Sequence, residues 1–308
     1  LLCLWTVVMH DVQAFDRRHV VTLADGVLID MASNAAYLMA PDDKLEAVNL
    51  IDGSVRWRSA AAEKPLTLVD GKLLAQARAE STGYLALRIL DAADNGEPIA
   101  ALNVAVDKGV SASIDAGLGH QFIAQAGLLD KQVLVYWQEK RLQVAATQDL
   151  SRKITSTRGA VAVDLDGGKA VSANQTAGAW SPVMGSQVLA LNARMAKLPD
   201  VQFAAADDRV VLVSERQANA GVRDRYQWTF YDRRSGQVLG RIRNSHPHAP
   251  FMVVNAVVLY QALPVTHRDL DGKLRHEPLR LVAQDLQSGA LKWSVPVRDT
   301  TYRGPLPP

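Results

Sequence analysis

The chain contains a single cysteine, Cys3, among its 308 residues. One cysteine cannot form a disulfide within the chain, and zinc sites built from several thiolates are also excluded. Neither positive nor negative charge is in large excess, because 34 Lys and Arg nearly balance 32 Asp and Glu and leave a net charge of +2. This balance provides no strong attraction to nucleic acid or to an anionic membrane. We therefore expect that nucleic acid is not a partner.

Helical periodicity and long hydrophobic runs are also lacking. The apolar stretch Leu1–Met9, interrupted only by Thr6, is about half of the ~20 residues that a membrane-spanning helix needs. Elsewhere, apolar residues alternate or form short runs bounded by Gly, Asp and Asn, which is typical of strands and turns. The sequence predicts an all-β protein without a transmembrane segment.

The first residues differ from the rest of the chain. After the apolar stretch, Val12 and Ala14 form the small-x-small arrangement of a signal-peptidase site, with cleavage before Phe15. We interpret residues 1–14 as the end of a signal peptide, which predicts a periplasmic or secreted protein. Two alternatives stay open, namely a buried first strand and lipidation at Cys3.

One short pattern occurs five times along the chain, and each copy consists of a strand, a glycine-containing turn and a second strand. Two copies place alanine, glycine and tryptophan at the same spacing: Ala47, Gly53 and Trp57, then Ala283, Gly289 and Trp293. Three weaker copies keep the glycine, at Gly96, Gly168 (with Ala162 in the alanine position) and Gly236. In the last two, Ser172 and Gly240 occupy the tryptophan position. A repeat of this size determines the architecture.

Each repeat and its neighbouring strands form a predicted four-stranded blade. The predicted strands are 19–23, 35–39, 45–50 and 55–58; 66–69, 73–77, 85–90 and 99–104; one near 122, then 133–137, 160–164 and 170–173; 201–205, 210–214, 227–231 and 238–242; and 251–254, 257–261, 279–285 and 291–295. A polar connection from Gln148 to Arg158 is predicted in the third blade. A protruding charged hairpin is predicted over Arg268–His276.

The tryptophan has a structural role in such blades. Each blade must be covered by its neighbours, and a large ring on the last strand can lie across the next blade and bury ~200 Å². Seams with Ser172 or Gly240 in the tryptophan position are expected to be weaker. The alternative role for Trp57 and Trp293 is a ligand platform.

The Ala-x-Asp-x-x-Ser/Thr-Gly-x-x-x-Trp pattern resembles the tryptophan-docking repeat of PQQ-binding-like (quinoprotein alcohol dehydrogenase-like) β-propeller repeat proteins. The likeness covers roughly residues 15–298 and implies that residues 15–308 form a single β-propeller domain. Members of this superfamily usually have seven or eight blades, whereas five are readable here, so an incomplete ring is one alternative.

The resemblance implies two functional classes. Quinoprotein dehydrogenases bind PQQ and calcium and oxidise alcohols or sugars, whereas noncatalytic relatives act as scaffolds. This chain cannot form the adjacent-cysteine disulfide of the best-known alcohol dehydrogenases, and it has no c-type haem attachment motif.

Three motifs contain residue types that can carry chemistry. His246-Pro247-His248 holds two imidazoles but has no third metal ligand at a suitable spacing. The segments Asp164–Gly167 and Asp269–Gly272 resemble fragments of a calcium loop, but both fall on expected hairpins and lack the acidic residue that completes an EF-hand. We interpret all three as structural, and no catalytic or metal-binding residue is assigned.

These observations favour a noncatalytic exported scaffold without a cofactor. The expected partner is an envelope protein or a peptide, bound across one face of the propeller or along an exposed strand edge. The alternative is a PQQ- and calcium-dependent dehydrogenase.

Overall fold

The computed structural model describes residues 20–117, 119–129, 132–144, 152–172, 186–189, 201–207, 209–218, 225–268 and 271–300. Within these ranges the regular structure is entirely strand, which confirms the all-β prediction. In this part of the chain no helix is long and apolar enough to cross a membrane. The predicted signal segment, its cleavage site and Cys3 lie outside the described residues.

Five antiparallel sheets follow one another along the chain. Sheet 1 contains β1 (Val20–Ala24), β2 (Val27–Asp30), β3 (Ala35–Met39), β4 (Leu45–Asn49) and β5 (Val55–Ser59). Sheet 2 contains β6 (Lys64–Val69), β7 (Lys72–Gln76), β8 (Tyr84–Asp91) and β9 (Glu97–Ala105). Sheet 3 contains β10 (His120–Leu129), β11 (Gln132–Val144), β12 (Arg152–Asp164) and β13 (Lys169–Ser172).

The second half of the chain has the same organisation. Sheet 4 contains β14 (Gln187–Val188), β15 (Val201–Ala206), β16 (Val210–Arg216), β17 (Tyr226–Asp232) and β18 (Val238–Asn244). Sheet 5 contains β19 (Phe251–Val254), β20 (Val257–Ala262), β23 (Arg280–Asp285) and β24 (Leu291–Pro296). The connection between β20 and β23 carries a separate hairpin of β21 (Val265–Arg268) and β22 (Leu274–Glu277).

The burial of the strands explains their sequences. The inner strands β2 and β3 are buried at every position, so they are almost continuously apolar. The outer strands β5 and β24 are covered on one face only, so buried and exposed residues alternate there. This difference is expected when each sheet lies between two others and exposes its last strand.

Shared hydrophobic cores show which sheets are neighbours. Sheet 1 packs against sheet 2, sheet 2 against sheet 3, and sheet 4 against sheet 5. A fourth core joins sheet 5 to sheet 1, for example through Leu281 and Leu38, so the first and last sheets of the chain are also adjacent. The sheets are therefore the blades of a β-propeller-like array, and the predicted fold class is confirmed.

The five glycines of the repeat occupy equivalent turns, which we call the repeat turns. All of them have positive φ: Gly53 (74°), Gly96 (69°), Gly168 (58°), Gly236 (68°) and Gly289 (69°). Glycine adopts this conformation without a steric penalty. The residue that ends the preceding strand closes each turn, because its side-chain oxygen accepts a backbone N–H two residues later. These residues are Asn49, Asp91, Asp164, Asp232 and Asp285.

The strand register places the two predicted Ala–Trp pairs directly opposite each other. Ala47 pairs with Trp57 and Ala283 pairs with Trp293, with a register irregularity immediately afterwards in both hairpins. Ala162 differs from this pattern because it pairs with Val171, in a hairpin whose register is continuous. The third copy therefore lacks the shift that would place Ala162 opposite the tryptophan position.

Both tryptophans of the repeat contact the repeat turn of the next sheet. The Trp57 indole N–H donates to the carbonyl of Ala92 at 3.1 Å, and a Cβ added to Gly96 would lie 2.5 Å from the Trp57 ring. The Trp293 indole N–H donates to the carbonyl of Leu50 at 3.0 Å. The glycine of the repeat turn in sheet 1, Gly53, is similarly close to this side chain, since an added Cβ would lie 2.7 Å from Trp293.

Smaller residues in the tryptophan position make the corresponding contact by closer approach. Ala100 of sheet 2 lies four residues after Gly96, which is the tryptophan position of that copy. It reaches Gly168, where an added Cβ would lie 3.1 Å from the Ala100 Cβ. Gly240 of sheet 4 lies so close to sheet 5 that an added Cβ would be 1.6 Å from the Leu286 carbonyl oxygen. At Gly240 the space that tryptophan fills elsewhere is thus closed by the backbone of the next sheet.

The predicted strands of the second, fourth and fifth blades are confirmed, as is the charged hairpin. Two predictions need correction. Strand β2 was missed in the first blade and β14 in the fourth, so sheets 1 and 4 contain five strands where four were predicted. The connection predicted from Gln148 to Arg158 was wrong from Arg152 onward, because β12 starts there and pairs with β11 as far as Val144. The first part of β12 is polar and offers no apolar alternation, which is the pattern that would have indicated a half-buried strand.

Replacing Asp285 by Asn is expected to make the protein less sensitive to acid. The backbone N–H and then the hydroxyl of Ser288 hold the pKa of the Asp285 carboxyl below its usual value. A carboxyl whose pKa is lowered by folding stabilises the protein above its unfolded pKa of about 3.9, and the stabilisation is lost as the pH falls through the folded pKa.

Asn49 makes the same turn with an uncharged side chain, so the Asp285→Asn variant should keep its stability at pH 7 and lose less of it at pH 3. Urea unfolding at both pH values measures this difference. An equal loss in the variant and the unmodified protein would contradict it.

Candidate functional site

The chain passes from one sheet to the next at the end of the array opposite the repeat turns. We call this end the link face. It follows from antiparallel pairing, because strand ends alternate and the links join the last strand of one sheet to the first strand of the next. Here the segment after the last strand lies across sheet 1, where the Arg298 N–H donates to the Met39 carbonyl at 2.8 Å.

The side chain of Arg298 connects four parts of the link face. Its guanidinium pairs with Glu63 before sheet 2, with Asp115 in the link to sheet 3, and with Asp43 in the β3–β4 turn at 3.1 Å. Arg298 and Glu63 are both buried, with side chains 9% and 8% exposed. Burial alone would lower the pKa of Arg298, but the hydrogen bond that its guanidinium donates to Glu63 and the charge of Asp115 raise it. The guanidinium therefore stays charged in this position.

A second arginine completes this cluster from the solvent side. Arg78 lies 3.2 Å from both Glu63 and Asp43, and its side chain is 64% exposed. Buried Glu63 is thus shared by one buried and one exposed cation. Because a buried carboxylate is costly without partners, the shared pairing explains how Glu63 is tolerated here.

A groove of about 380 Å³ opens beside this cluster, between the β7–β8 connection and the link from sheet 2 to sheet 3. Glu63, Arg78 and Glu80 lie on its first side, and Ser113 and Asp115 lie on its second. Exposed Glu80 has no ion-pair partner among the residues that the structure describes. The groove is therefore polar, with more carboxylates than cations.

The wider surroundings of the groove are acidic as well. Residues 20–117, which form sheets 1 and 2 and the link to sheet 3, contain 14 Asp and Glu but eight Lys and Arg. Residues 201–300, which form most of sheets 4 and 5, contain 14 Lys and Arg and ten Asp and Glu. The small net charge of the chain thus hides an acidic region, residues 20–117, and a basic region, residues 201–300.

The second wall of the groove is fixed by a buried carboxylate of sheet 3. Glu139 accepts hydrogen bonds from the Ser111 backbone N–H at 2.8 Å and from Arg141 at 2.8 Å, and it lies 3.0 Å from the His120 ring. Burial raises the pKa of Glu139, but the hydrogen bonds from Arg141, Ser111 and His120 together lower it. The carboxylate is therefore ionised and holds the link in place.

The motifs singled out in the sequence do not converge on this groove. His246 and His248 lie on the link between sheets 4 and 5, and burial lowers the pKa of both. Asp164 closes a repeat turn on the opposite face, and Asp269 lies outside the described residues. Over the described ranges, no group of three or more His, Cys, Asp or Glu side chains could hold a metal ion.

The residues that form the groove were missed by sequence reasoning. Glu63 and Arg298 are 235 positions apart, and neither belongs to the repeat or to a recognisable motif. The one signal was the long stretch between β9 and β10, since a link longer than a tight turn has to run across the face it joins.

Comparison with known proteins finds only distant structural neighbours. No family model matches the chain, and no curated protein matches it. Among solved structures, Sqt1 of Saccharomyces cerevisiae is 8% identical with a TM-score of 0.31, over 92% of this chain and 87% of that one. A europium-containing methanol dehydrogenase is 11% identical with a TM-score of 0.23, over 90% and 69%.

The quinohemoprotein alcohol dehydrogenase ADHIIG from Pseudomonas putida HK5 is also 11% identical with a TM-score of 0.23, over 88% of this chain and 58% of that one. Quinoprotein alcohol dehydrogenases are therefore among the structural neighbours. At these TM-scores the alignments carry no argument, and the fold rests on the strand order and the shared cores.

Proposed function

We propose that this protein is a noncatalytic binding scaffold whose link-face groove holds an extended basic segment of an envelope protein or peptide. The observation that carries the proposal is the excess of carboxylates in the groove, where exposed Glu80 has no ion-pair partner in the part of the chain that the structure describes. A cationic side chain of the ligand would provide the missing partner for Glu80. The serine and threonine side chains of the groove would bind the peptide backbone of the same ligand.

The construction of the groove also supports binding. Its walls are loops and links, but they are held by buried pairs such as Arg298–Glu63 and by the Glu139 hydrogen bonds. Binding is favoured by such a preformed site, because little conformational entropy is lost when the ligand arrives. The two tryptophan contacts between sheets, which we interpret as docking clamps, keep the blades beneath it in position.

Replacing Glu80 by Gln is expected to weaken the binding of a hexalysine peptide about threefold to fivefold, since one charge pair near a protein surface is worth about 1 kcal/mol. The matched control is Asp94→Asn, which removes an exposed carboxylate from a repeat turn on the opposite face. Calorimetric titration at low salt, with a glycine–serine peptide of equal length as the neutral probe, measures the affinities. Equal losses in the two variants, or equal binding of the neutral peptide, would refute a specific groove.

The alternative function is oxidation of alcohols or sugars with PQQ and calcium, which the resemblance implies. Reconstituting the purified protein with PQQ and Ca²⁺ and assaying dye-linked oxidation separates the two classes. Turnover that depends on the quinone would overturn the scaffold proposal.

We also propose that the protein is exported to the periplasm or secreted. The support is the sequence of residues 1–14 alone, with its apolar stretch and the small-x-small site before Phe15. N-terminal sequencing of the protein from the periplasmic fraction should begin at Phe15. Mature protein that still starts at Leu1 would exclude cleavage at this site.

A further inference from the structure

A second cavity, of about 290 Å³, lies on the link face over sheets 4 and 5. The start of β17 provides Arg225 at its edge, and the link from β18 to β19 contributes Ser245 and His246. The separate hairpin adds Val265 and Thr266 from β21. Three segments distant in sequence thus meet around one small space, and the function proposed for the groove does not involve it.

None of the polar groups that line this cavity is negatively charged. Its lining contains one cation, the exposed Arg225, and neither Asp nor Glu. The Ser245 hydroxyl and the Thr266 hydroxyl are also present, at 2.8 Å and 3.0 Å from the imidazoles of His246 and His276. The cavity therefore offers positive charge and hydroxyl groups to a ligand, in contrast to the carboxylate-rich groove over sheets 1 and 2.

A buried donor without a partner lies beside the cavity. Asn244 is 7% exposed, and its side-chain Nδ2 has no hydrogen-bond partner among the described residues. The Oδ1 of the same side chain accepts the backbone N–H of His246 at 3.2 Å, and Asn244 pairs with Tyr226 across the sheet. Tyr226 and His246 both line the cavity. An unsatisfied buried donor is costly, and this one lies directly behind two lining residues, although Asn244 itself does not line the cavity.

The position of His246 is fixed by its backbone. The Trp228 indole N–H donates to the His246 carbonyl at 2.9 Å, and Trp228 itself is fully buried. Burial first, and then the charges of Arg225 and His248, lower the pKa of the His246 imidazole. The imidazole is therefore neutral at pH 7, and the charge available to a ligand is that of Arg225.

The rest of the lining is apolar. Pro247, Pro264 and Val265 contribute to the cavity beside the polar groups. A bare inorganic anion would leave this apolar surface uncovered, whereas an acid with a short hydrocarbon group would cover it and remove it from water, which favours binding. The volume is at the lower end of small-molecule sites, which limits the hydrocarbon group to a few carbons.

We propose that this cavity binds a carboxylate that carries a short apolar substituent. The carboxylate lies against Arg225 and Ser245, where the guanidinium can bind it with two parallel hydrogen bonds. The apolar group packs on Pro264 and Val265. Two sources have this chemistry, namely a free short-chain carboxylic acid and the C-terminus of a peptide that ends in an apolar residue.

The test compares ligands that differ only in charge. Calorimetric titration of the purified full chain with acetyl-Ala-Val, with its C-terminal amide and with isovalerate measures binding. We expect the peptide acid to bind at least tenfold more tightly than its amide. Comparable binding of isovalerate identifies a free acid as sufficient, whereas binding of the peptide acid alone identifies a peptide C-terminus. Equal affinity for acid and amide, or no binding of either acid, would overturn the proposal.

Variants connect the binding to this cavity. Arg225→Gln is expected to lower the affinity for the peptide acid at least tenfold, and Ser245→Ala is expected to lower it severalfold. The matched control is Arg243→Gln, which removes an exposed arginine of the same sheet that does not line the cavity. An unchanged affinity in Arg225→Gln, with an unfolding midpoint equal to that of the unmodified protein, would refute the site. Glu80→Gln should leave the acid affinity unchanged, so failure here and failure of the groove proposal are separable.

Discussion

Replacing Trp293 by Ala is expected to lower the free energy of unfolding by about 3–5 kcal/mol. The side chain is 7% exposed and packs on Gly53 of sheet 1 while its indole N–H binds the Leu50 carbonyl. Truncation therefore removes the transfer energy of the ring, leaves a cavity between sheets 5 and 1, and exposes an unpaired carbonyl in the seam. Because this contact joins residues 243 positions apart, its loss also loosens the connection between the two ends of the array.

The matched control for Trp293 lies on the same strand. Leu291 is 60% exposed, so Leu291→Ala should change stability by no more than about 0.5 kcal/mol. Urea unfolding monitored by circular dichroism gives both values. A cost below about 1 kcal/mol for Trp293→Ala would show that the indole does not hold this seam together.

Replacing Gly240 by Ala is expected to cost about 3 kcal/mol or more, which is at the upper end of the range for overpacking. The added Cβ would lie 1.6 Å from the Leu286 carbonyl oxygen and 2.5 Å from its carbon. The obstacle is backbone of the neighbouring sheet, so a rotamer change cannot relieve it and the two sheets must move apart. The core between sheets 4 and 5, with Trp228 and Phe251 in it, would open as a result.

Gly109→Ala is the matched control, because Gly109 has no atom within 4 Å of an added Cβ and its φ is not positive. That variant should lie within about 0.5 kcal/mol of the unmodified protein. Thermal and urea unfolding of the two variants provide the comparison. Equal stability of both would mean that the seam at Gly240 is open enough to accept a methyl group.

The Trp293→Ala and Gly240→Ala variants also bear on the prediction that seams without tryptophan are weaker. At Gly240 the structure replaces the indole by direct contact between the backbones of sheets 4 and 5. Dispersion contacts of closely packed backbone can compensate for a missing ring. Whether they do so fully stays a prediction until the unfolding energies are compared.

The repeat turns were predictable because their cause is local. A glycine with positive φ, preceded by an Asp or Asn whose side chain closes the turn, is determined by a few adjacent residues. Gly53 and Gly289 adopt the conformation that their spacing indicated. Asp164, which resembles part of a calcium loop in the sequence, closes a turn for the same local reason.

The missed elements were those in which tertiary contacts outweigh local pattern. β12 begins at Arg152 because a register of backbone hydrogen bonds with β11 extends beyond the core. Few apolar residues are needed there, so hydrophobic periodicity could not indicate a strand. The third copy of the repeat also differs in register at Ala162, which depends on a bulge rather than on residue type.

The order of residues along the chain was sufficient to establish the all-β class, the five turns and the repeating blades, since period-2 patterns and glycine spacing act over a few residues. The folded array decided the rest. Arg298 meets Glu63 and Asp115 only because sheet 5 returns to sheet 1, and Arg225 meets Val265 only because a hairpin of sheet 5 lies over sheet 4. Contacts of this kind depend on how distant parts of the chain are brought together in space, and local sequence patterns do not indicate which side chains of those parts meet.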